Sequence, residues 1–423
     1  MSYVRCLRGI ASGAEYPADR PMNLDPVDGR PVEMVLDLDR LAAELPDFGW
    51  YHPERRDLWR FGALMPLDVA DPADRAHIVD IGGGHTPELR YASHALARAH
   101  GFDLWVKEEG RSGAGWGGNP TGSFKDRGMA VVVAMARRLG LEKLAVPTQG
   151  NAGDALATYG LAGGREVAVA MPDDTPLPIL GKVAALAHRH PGRVHLDVVS
   201  GTIREAGALI ADKYLGDGFF SVATFKEPGW RIEGKKTMGL ELAEPRRPGD
   251  PWRLPDVIVY PTGGGTGVLG MWKAFGELEA LGVIGPDRPR MVSVQSEATT
   301  PLVDAFESGA ADTTPGAAGT TLATGLNVVG GVGHARVLEI LRASGGAAVA
   351  VSEAAIGDTL RTTIAETGWW LGSEGAAALA ALPDLVDRGL IRPGDRVVAF
   401  NTGSLEKYLP ALRPFVPDPA PTA

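Results

Sequence analysis

Seven short apolar runs, separated by stretches with helical spacing, constrain this chain more than any other feature. They are Asp103 to Lys107, Lys143 to Val146, Glu166 to Met171, His195 to Val199, Val257 to Tyr260, Met291 to Gln295 and Arg396 to Phe400. Short Val-, Ile- and Ala-containing runs alternating with helices read as parallel strands covered on both faces, which is an α/β fold. Residues 1 to about 75 read differently. They are rich in Pro and Asp, and only a short helix near Leu41 to Leu45 is expected there. The closing stretch 417–423 is Pro/Ala-rich and reads as a disordered tail. Ser308 to Gly319 reads as a surface loop.

At 423 residues the chain can hold two or three cores. A net charge of −10 argues against nucleic acid and anionic membrane surfaces as partners, both of which require clustered Lys and Arg. No run approaches the ~20 apolar residues that span a bilayer, and Met1 to Ile10 lacks a signal-peptide core. Cys6 is the single cysteine, so neither an intrachain disulfide nor a cysteine-rich metal site is expected. These observations suit a cytoplasmic protein. The His188-Arg189-His190 cluster has no spaced third ligand and reads as helix surface, so no metal is expected.

The chemistry concentrates in Asn119-Pro120-Thr121-Gly122-Ser123-Phe124-Lys125-Asp126-Arg127-Gly128. Lys125 follows Phe124 and opens an apolar helix, Met129 to Leu139, so its stem is expected to point toward a core. A lysine held in that way loses hydration, its pKa falls, and its amine becomes a nucleophile able to form a Schiff base. A second segment, Thr262-Gly263-Gly264-Gly265-Thr266-Gly267, lies between a strand and a helix, where converging N–H groups can hold an anion. A tight strand-to-helix turn would require the same glycines. Thr148-Gln149-Gly150-Asn151 offers an amide for a ring hydroxyl and N–H groups for a carboxylate, although Asn151 is equally suited to capping a helix. Thr402 follows the strand ending at Phe400 and could set a hydroxyl against a ring nitrogen; a plain strand-end turn is the alternative. Together the four segments supply a Schiff-base lysine, a ring-hydroxyl contact, a phosphate cup and a ring-nitrogen contact. That is the set pyridoxal 5′-phosphate (PLP) requires, placed at strand C-termini where open α/β sheets bind ligands.

Two motifs are decoys. Gly113-Ala114-Gly115-Trp116-Gly117-Gly118 has dinucleotide-loop spacing but leads into Asn119-Pro120 rather than a helix. Gly229 to Lys236 nearly has nucleotide-loop spacing, but Lys236 stands where Ser or Thr must bind magnesium. Trp369-Trp370 reads as core or interface.

The decapeptide, Gly150-Asn151, Gly263 to Gly267 and Thr402-Gly403 resemble, in type and order, the pattern of threonine synthases among the fold-type-II PLP enzymes. Gly83 to Leu89 is similar to that family's Gly-Glu-Gly-x-Thr-Pro-Leu segment, and Arg231-Ile232-Glu233-Gly234-Lys235-Lys236-Thr237 to its Arg-x-Glu-Gly-x-Lys-Thr segment. The resemblance spans roughly residues 78 to 408. It implies two α/β domains with mainly parallel, doubly wound sheets and the cofactor in the cleft between them. The large PLP-binding domain would be 78–128 with 227–416, and the small mobile one 129–226, after an N-terminal extension 1–77. It implies a homodimer acting on an amino acid, in the main reading a phosphorylated one: O-phosphohomoserine and water giving threonine and phosphate.

Lys125 is then the catalytic residue. Phe124, Asn151, Gly263, Gly264, Gly265, Thr266, Gly267 and Thr402 hold the cofactor. Ser123, Thr148, Gln149, Gly150, Lys226 and Arg231 hold substrate, with Lys235 and Lys236 as further phosphate candidates. The chain departs from the pattern at Ala152-Gly153-Asp154 and at Phe225 to Trp230. Ser373-Glu374-Gly375-Ala376-Ala377 resembles amino-acid dehydratases instead. That departure opens an alternative: β-elimination or β-replacement on serine, threonine or O-phosphoserine, as in a dehydratase or a cysteate-synthase-like enzyme.

Overall fold

The computed structural model describes residues 3–112, 117–247 and 249–409. The first decoy loop, through residues 113–116, and the tail 417–423 lie outside them. A six-stranded sheet runs in the order Ala347–Val351, Arg290–Ser296, Val257–Pro261, Arg396–Asn401, Asp103–Glu108, Glu88–Arg90. Every neighbouring pair in it is parallel except the last. A second, wholly parallel sheet takes the order Val194–Val199, Glu166–Pro172, Lys143–Pro147, Phe220–Ser221. All seven expected strands are present. Ala347–Val351 was not expected; its run is short and alanine-rich and lies behind Gly345-Gly346, so composition alone does not separate it from a turn.

The N-terminal region is less irregular than its composition suggests. Glu15–Tyr16, Val4–Gly9 and Val32–Leu36 form an antiparallel sheet. In Val32–Leu36 the buried positions Val32, Met34 and Leu36 alternate with half-buried Glu33 and Val35, a period-2 signal only five residues long. The short helix lies at Leu38–Glu44, where the Asp37 side chain caps it by accepting from the Arg40 N–H.

Two helices position the chemistry. Lys125–Arg138 leaves the lysine motif and is buried continuously from Asp126 to Ala136. Trp230–Ala243 is buried along its whole length. They can approach because glycines sit at the crossing. A Cβ on Gly234 would lie 2.0 Å from the Arg127 carbonyl oxygen, and one on Gly128 would lie 3.4 Å from the Arg231 Cβ. This crossing sets Arg231 beside the start of the lysine helix.

Buried charges brace the same junction. Arg127 binds Glu109 and Glu241, each at 2.7 Å, and Lys107 also binds Glu241 at 2.7 Å. Asn119 donates to both the carbonyl and the carboxylate of Glu109. Thr121 donates its N–H and O–H to Asp126. Most of the decapeptide therefore builds the frame that aims Lys125. Among the described residues, no helix is long and apolar enough to cross a membrane.

Candidate active site

One cavity of about 750 Å³ opens at the C-terminal ends of parallel strands from the six-stranded and four-stranded sheets. It brings together Phe124, Lys125, Thr148, Gln149, Gly150, Asn151, Arg231, Gly263 to Gly267 and Thr402. Segments spread over more than 250 residues of sequence thus line one cavity. Ser123 is buried just beneath: it bridges to Gly403, and its Oγ has no hydrogen-bond partner. Lys226 is exposed and lies outside the cavity wall. The residue before it, Phe225, has a φ of 63° and takes the cavity position instead. Lys236 is also elsewhere, tied to Glu233 and Glu277 and to the Leu64 carbonyl. The Gly229–Lys236 decoy is therefore the start of a buried helix and not a phosphate loop.

Lys125 is half-buried, its stem in packed protein. Burial is the largest influence on its amine, the Arg231 charge adds to it, and Glu374 opposes; together they lower its pKa to about 7. Such an amine is substantially neutral at physiological pH and nucleophilic without a neighbouring base. Its Nζ lies 4.4 Å from the Phe124 ring centroid. The motif is laced to the segment carrying Thr402: Phe124 N–H donates to the Thr402 carbonyl at 3.1 Å, and Ser404 N–H to the Gly122 carbonyl at 3.0 Å. Thr402 and Lys125 therefore hold a fixed spacing.

The glycine segment also lines the cavity. Gly265 has φ 86° and caps the helix Thr266–Ala280. Leu269 N–H is bonded to the Gly265 carbonyl, so the N–H groups ahead of it have no acceptor within the helix. A Cβ on Gly263 would lie 2.5 Å from the Gly325 carbonyl oxygen, and one on Gly265 would lie 2.5 Å from Val337 Cγ2. This is a concave run of N–H groups at a positive helix end, suited to a phosphate. Cup, amine, amide and hydroxyl share one cavity, so the residues present fit PLP.

Asn151 begins the helix Asn151–Ala162. Lys407 Nζ donates to its Oδ1 at 2.8 Å, and its Nδ2 donates to the Tyr408 hydroxyl at 2.5 Å. The amide orientation is thus set by residues that sequence reasoning missed. Lys407 also binds buried Asp154 at 2.9 Å, and Lys182 binds the same carboxylate at 2.7 Å. Nearby, Gly150 N–H is taken by Thr148 Oγ1 at 2.9 Å.

Glu374 and Tyr408 complete the floor. Glu374 accepts from Gly325 N–H at 2.8 Å, and burial raises its pKa. Arg231 is fully buried; its guanidinium donates to the Val222 carbonyl, and its backbone N–H donates to the Glu227 carboxylate. Burial pushes Glu227 up to about 7. The stretch expected as a surface loop after Ser308 contributes Gly316, Ala318 and Gly319 to the cavity, followed by 324–332.

A family model described as pyridoxal-phosphate dependent enzyme matches residues 79–403. The chain belongs to that family. The threonine synthase of Methanosarcina acetivorans is 32% identical over 410 residues, covering 96% of this chain and 92% of that protein. This chain is a PLP-dependent lyase of threonine synthase-like type. The threonine synthase of Methanocaldococcus jannaschii is 30% identical over 401 residues, covering 94% and 91%. A solved structure of the processed form of threonine deaminase isoform 2 from Solanum lycopersicum shares the fold. Its TM-score is 0.62 at 21% identity, over 82% of this chain and 91% of that one.

Proposed function

We propose that this chain acts as a threonine synthase, converting O-phosphohomoserine and water to threonine and phosphate. The observation that carries the reading is Arg231. This fully buried guanidinium lines the same cavity as Lys125 and is opposed by Glu227, a carboxyl that burial itself drives toward neutrality. A buried positive charge in the cavity that is not fully offset suits an anionic group of the substrate. The relatives named as threonine synthases support the same substrate.

Lys125, Asn151, the Gly263–Gly267 cup and Thr402 would hold the cofactor, which when bound acts as an electron sink for carbanions beside the amino group. Thr402 brings a neutral hydroxyl where a carboxylate would strengthen that sink. The Lys125 amine, about half neutral at pH 7, takes and returns the substrate's α-proton. The N–H groups of Gln149 and Asn151, beside the start of the helix, receive the carboxylate, and Arg231 receives the phosphate. Residues 129–226 close over the substrate and exclude water. The reading carries with it a homodimer working in the cytoplasm.

Glu374 favours a second reading. It is a raised carboxyl in the cavity that phosphate expulsion does not require, and elimination on serine or threonine would use it as an acid for the leaving hydroxyl. The test is a substrate panel on purified PLP-loaded protein. Threonine and phosphate from O-phosphohomoserine support the first reading; a 2-oxo acid from serine or threonine, without phosphate release, supports the second.

A further inference from the structure

Lys235 is a fully buried amine that the chemistry above leaves unused. Its Nζ donates to Thr266 Oγ1 at 2.5 Å and lies 4.8 Å from the Phe124 ring, the ring that also faces Lys125. Among the described residues it makes no ion pair within 4 Å. The carboxylates on its own helix are taken: Glu233 by Lys236 and Lys273, Glu241 by Lys107 and Arg127. The charged groups that bear on it are Lys125 and Arg231, both cationic, and Glu227. Thr266 is the first residue of the cup helix and lines the cavity. Its oxygen accepts from Lys235, which leaves its own hydrogen to donate into the cup. A charged amine behind a hydroxyl is well matched to a dianion in front of it. With no anion present, burial and two cationic neighbours hold the amine pKa well below that of an ordinary lysine.

We propose that Lys235 is a positioning cation for the cofactor phosphate, acting through the Thr266 hydroxyl and taking up a proton when that phosphate arrives. The inference rests on the glycine cup being the phosphate site. It adds charge to a cup that otherwise relies on backbone N–H groups and the Thr266 hydroxyl.

Calorimetric titration of the unloaded protein with pyridoxine 5′-phosphate tests it, because this probe carries the phosphate and lacks the aldehyde. Runs at pH 8 in two buffers of different ionisation heat count the protons taken up. Wild type and Lys125→Ala take up a proton assignable to Lys235. Lys235→Met loses that proton and binds about tenfold or more weakly. The unloaded Lys235→Met protein melts no lower than wild type, since an unpaired buried amine has become apolar. Lys235→Gln, which keeps a donor to Thr266 without charge, also loses the proton and serves where the methionine variant does not fold. Unchanged affinity, or proton uptake that survives in Lys235→Met and Lys235→Gln, overturns the proposal. Equal binding of pyridoxine and its phosphate by wild type overturns the cup assignment itself, a separate failure.

Discussion

Replacing Gly234 by alanine tests the helix crossing on which the site depends. In an exposed helix interior the change stabilises by about 1 kcal/mol, because alanine loses less backbone freedom on folding. Here the new methyl would lie 2.0 Å from the Arg127 carbonyl oxygen, 2.5 Å from its carbon and 2.8 Å from Gly128 Cα. All three obstacles are backbone, so no side-chain rotamer relieves them. An ordinary contact of about 3.5 Å requires the helices to part by roughly 1.5 Å. Overpacking of this kind costs about 1–3 kcal/mol, toward the upper end when backbone must move. After the propensity gain is subtracted, Gly234→Ala should destabilise by about 2 kcal/mol. Gly276→Ala is the control. It lies in the exposed part of the cup helix with nothing within 4 Å of its added Cβ, and should stabilise by about 0.5–1 kcal/mol. Thermal melts of the unloaded proteins should shift in opposite directions. The parted helices should also move Arg231 away from Lys125, lowering kcat more than stability alone explains. A Gly234→Ala protein as stable as Gly276→Ala, with wild-type kcat, would refute the reasoning.

Other consequences are as specific. Arg231→Met removes a charge that holds the Lys125 amine down, so the Lys125 pKa should rise from about 7. Less of the amine is then neutral at a given pH. The pH profile for the rate at which PLP's visible band appears on mixing with unloaded protein should move to higher pH, and an unmoved profile contradicts the coupling. Arg127→Met leaves the carboxylates of Glu109 and Glu241 buried with less compensation, and should destabilise by about 3–5 kcal/mol in denaturant melts. Lys407→Met releases the Asn151 Oδ1, leaving its amide held by Tyr408 alone, and removes one of the two lysines on Asp154. Its PLP dissociation constant, read by fluorescence titration, should rise about tenfold.

Much of the parallel framework was legible because its strands are compact Val- and Ile-bearing runs between helices. The cofactor residues were legible for a related reason. Lys125, Asn151, Gly263 to Gly267 and Thr402 each follow a strand, and strand C-termini in such sheets converge. Residues acting across the cavity were not legible. Lys407 and Tyr408 sit in a short turn after the strand Arg396–Asn401, and nothing local to them indicates that they reach Asn151. Gly316 to Gly319 is the surface loop its composition suggests, but composition does not show that the loop also borders the cavity. Lys226 looked like an anion ligand by its charge, but the left-handed backbone at Phe225 puts the phenyl ring in the cavity position and leaves the lysine exposed. Lys235 and Lys236 are neighbours with different fates. Helical rotation sends one to the cup and the other to the Glu233–Glu277 cluster.

The most direct measurement is product analysis with O-phosphohomoserine on PLP-loaded wild type, Lys125→Ala and Arg231→Met. Wild type should release phosphate and threonine in equal amounts. Lys125→Ala should lose both the visible absorbance of the bound cofactor and turnover, and Arg231→Met should keep the absorbance while its KM for O-phosphohomoserine rises steeply. Wild-type protein that shows the cofactor's absorbance yet releases no phosphate would contradict the assignment, as would a Lys125→Ala protein whose absorbance is unchanged.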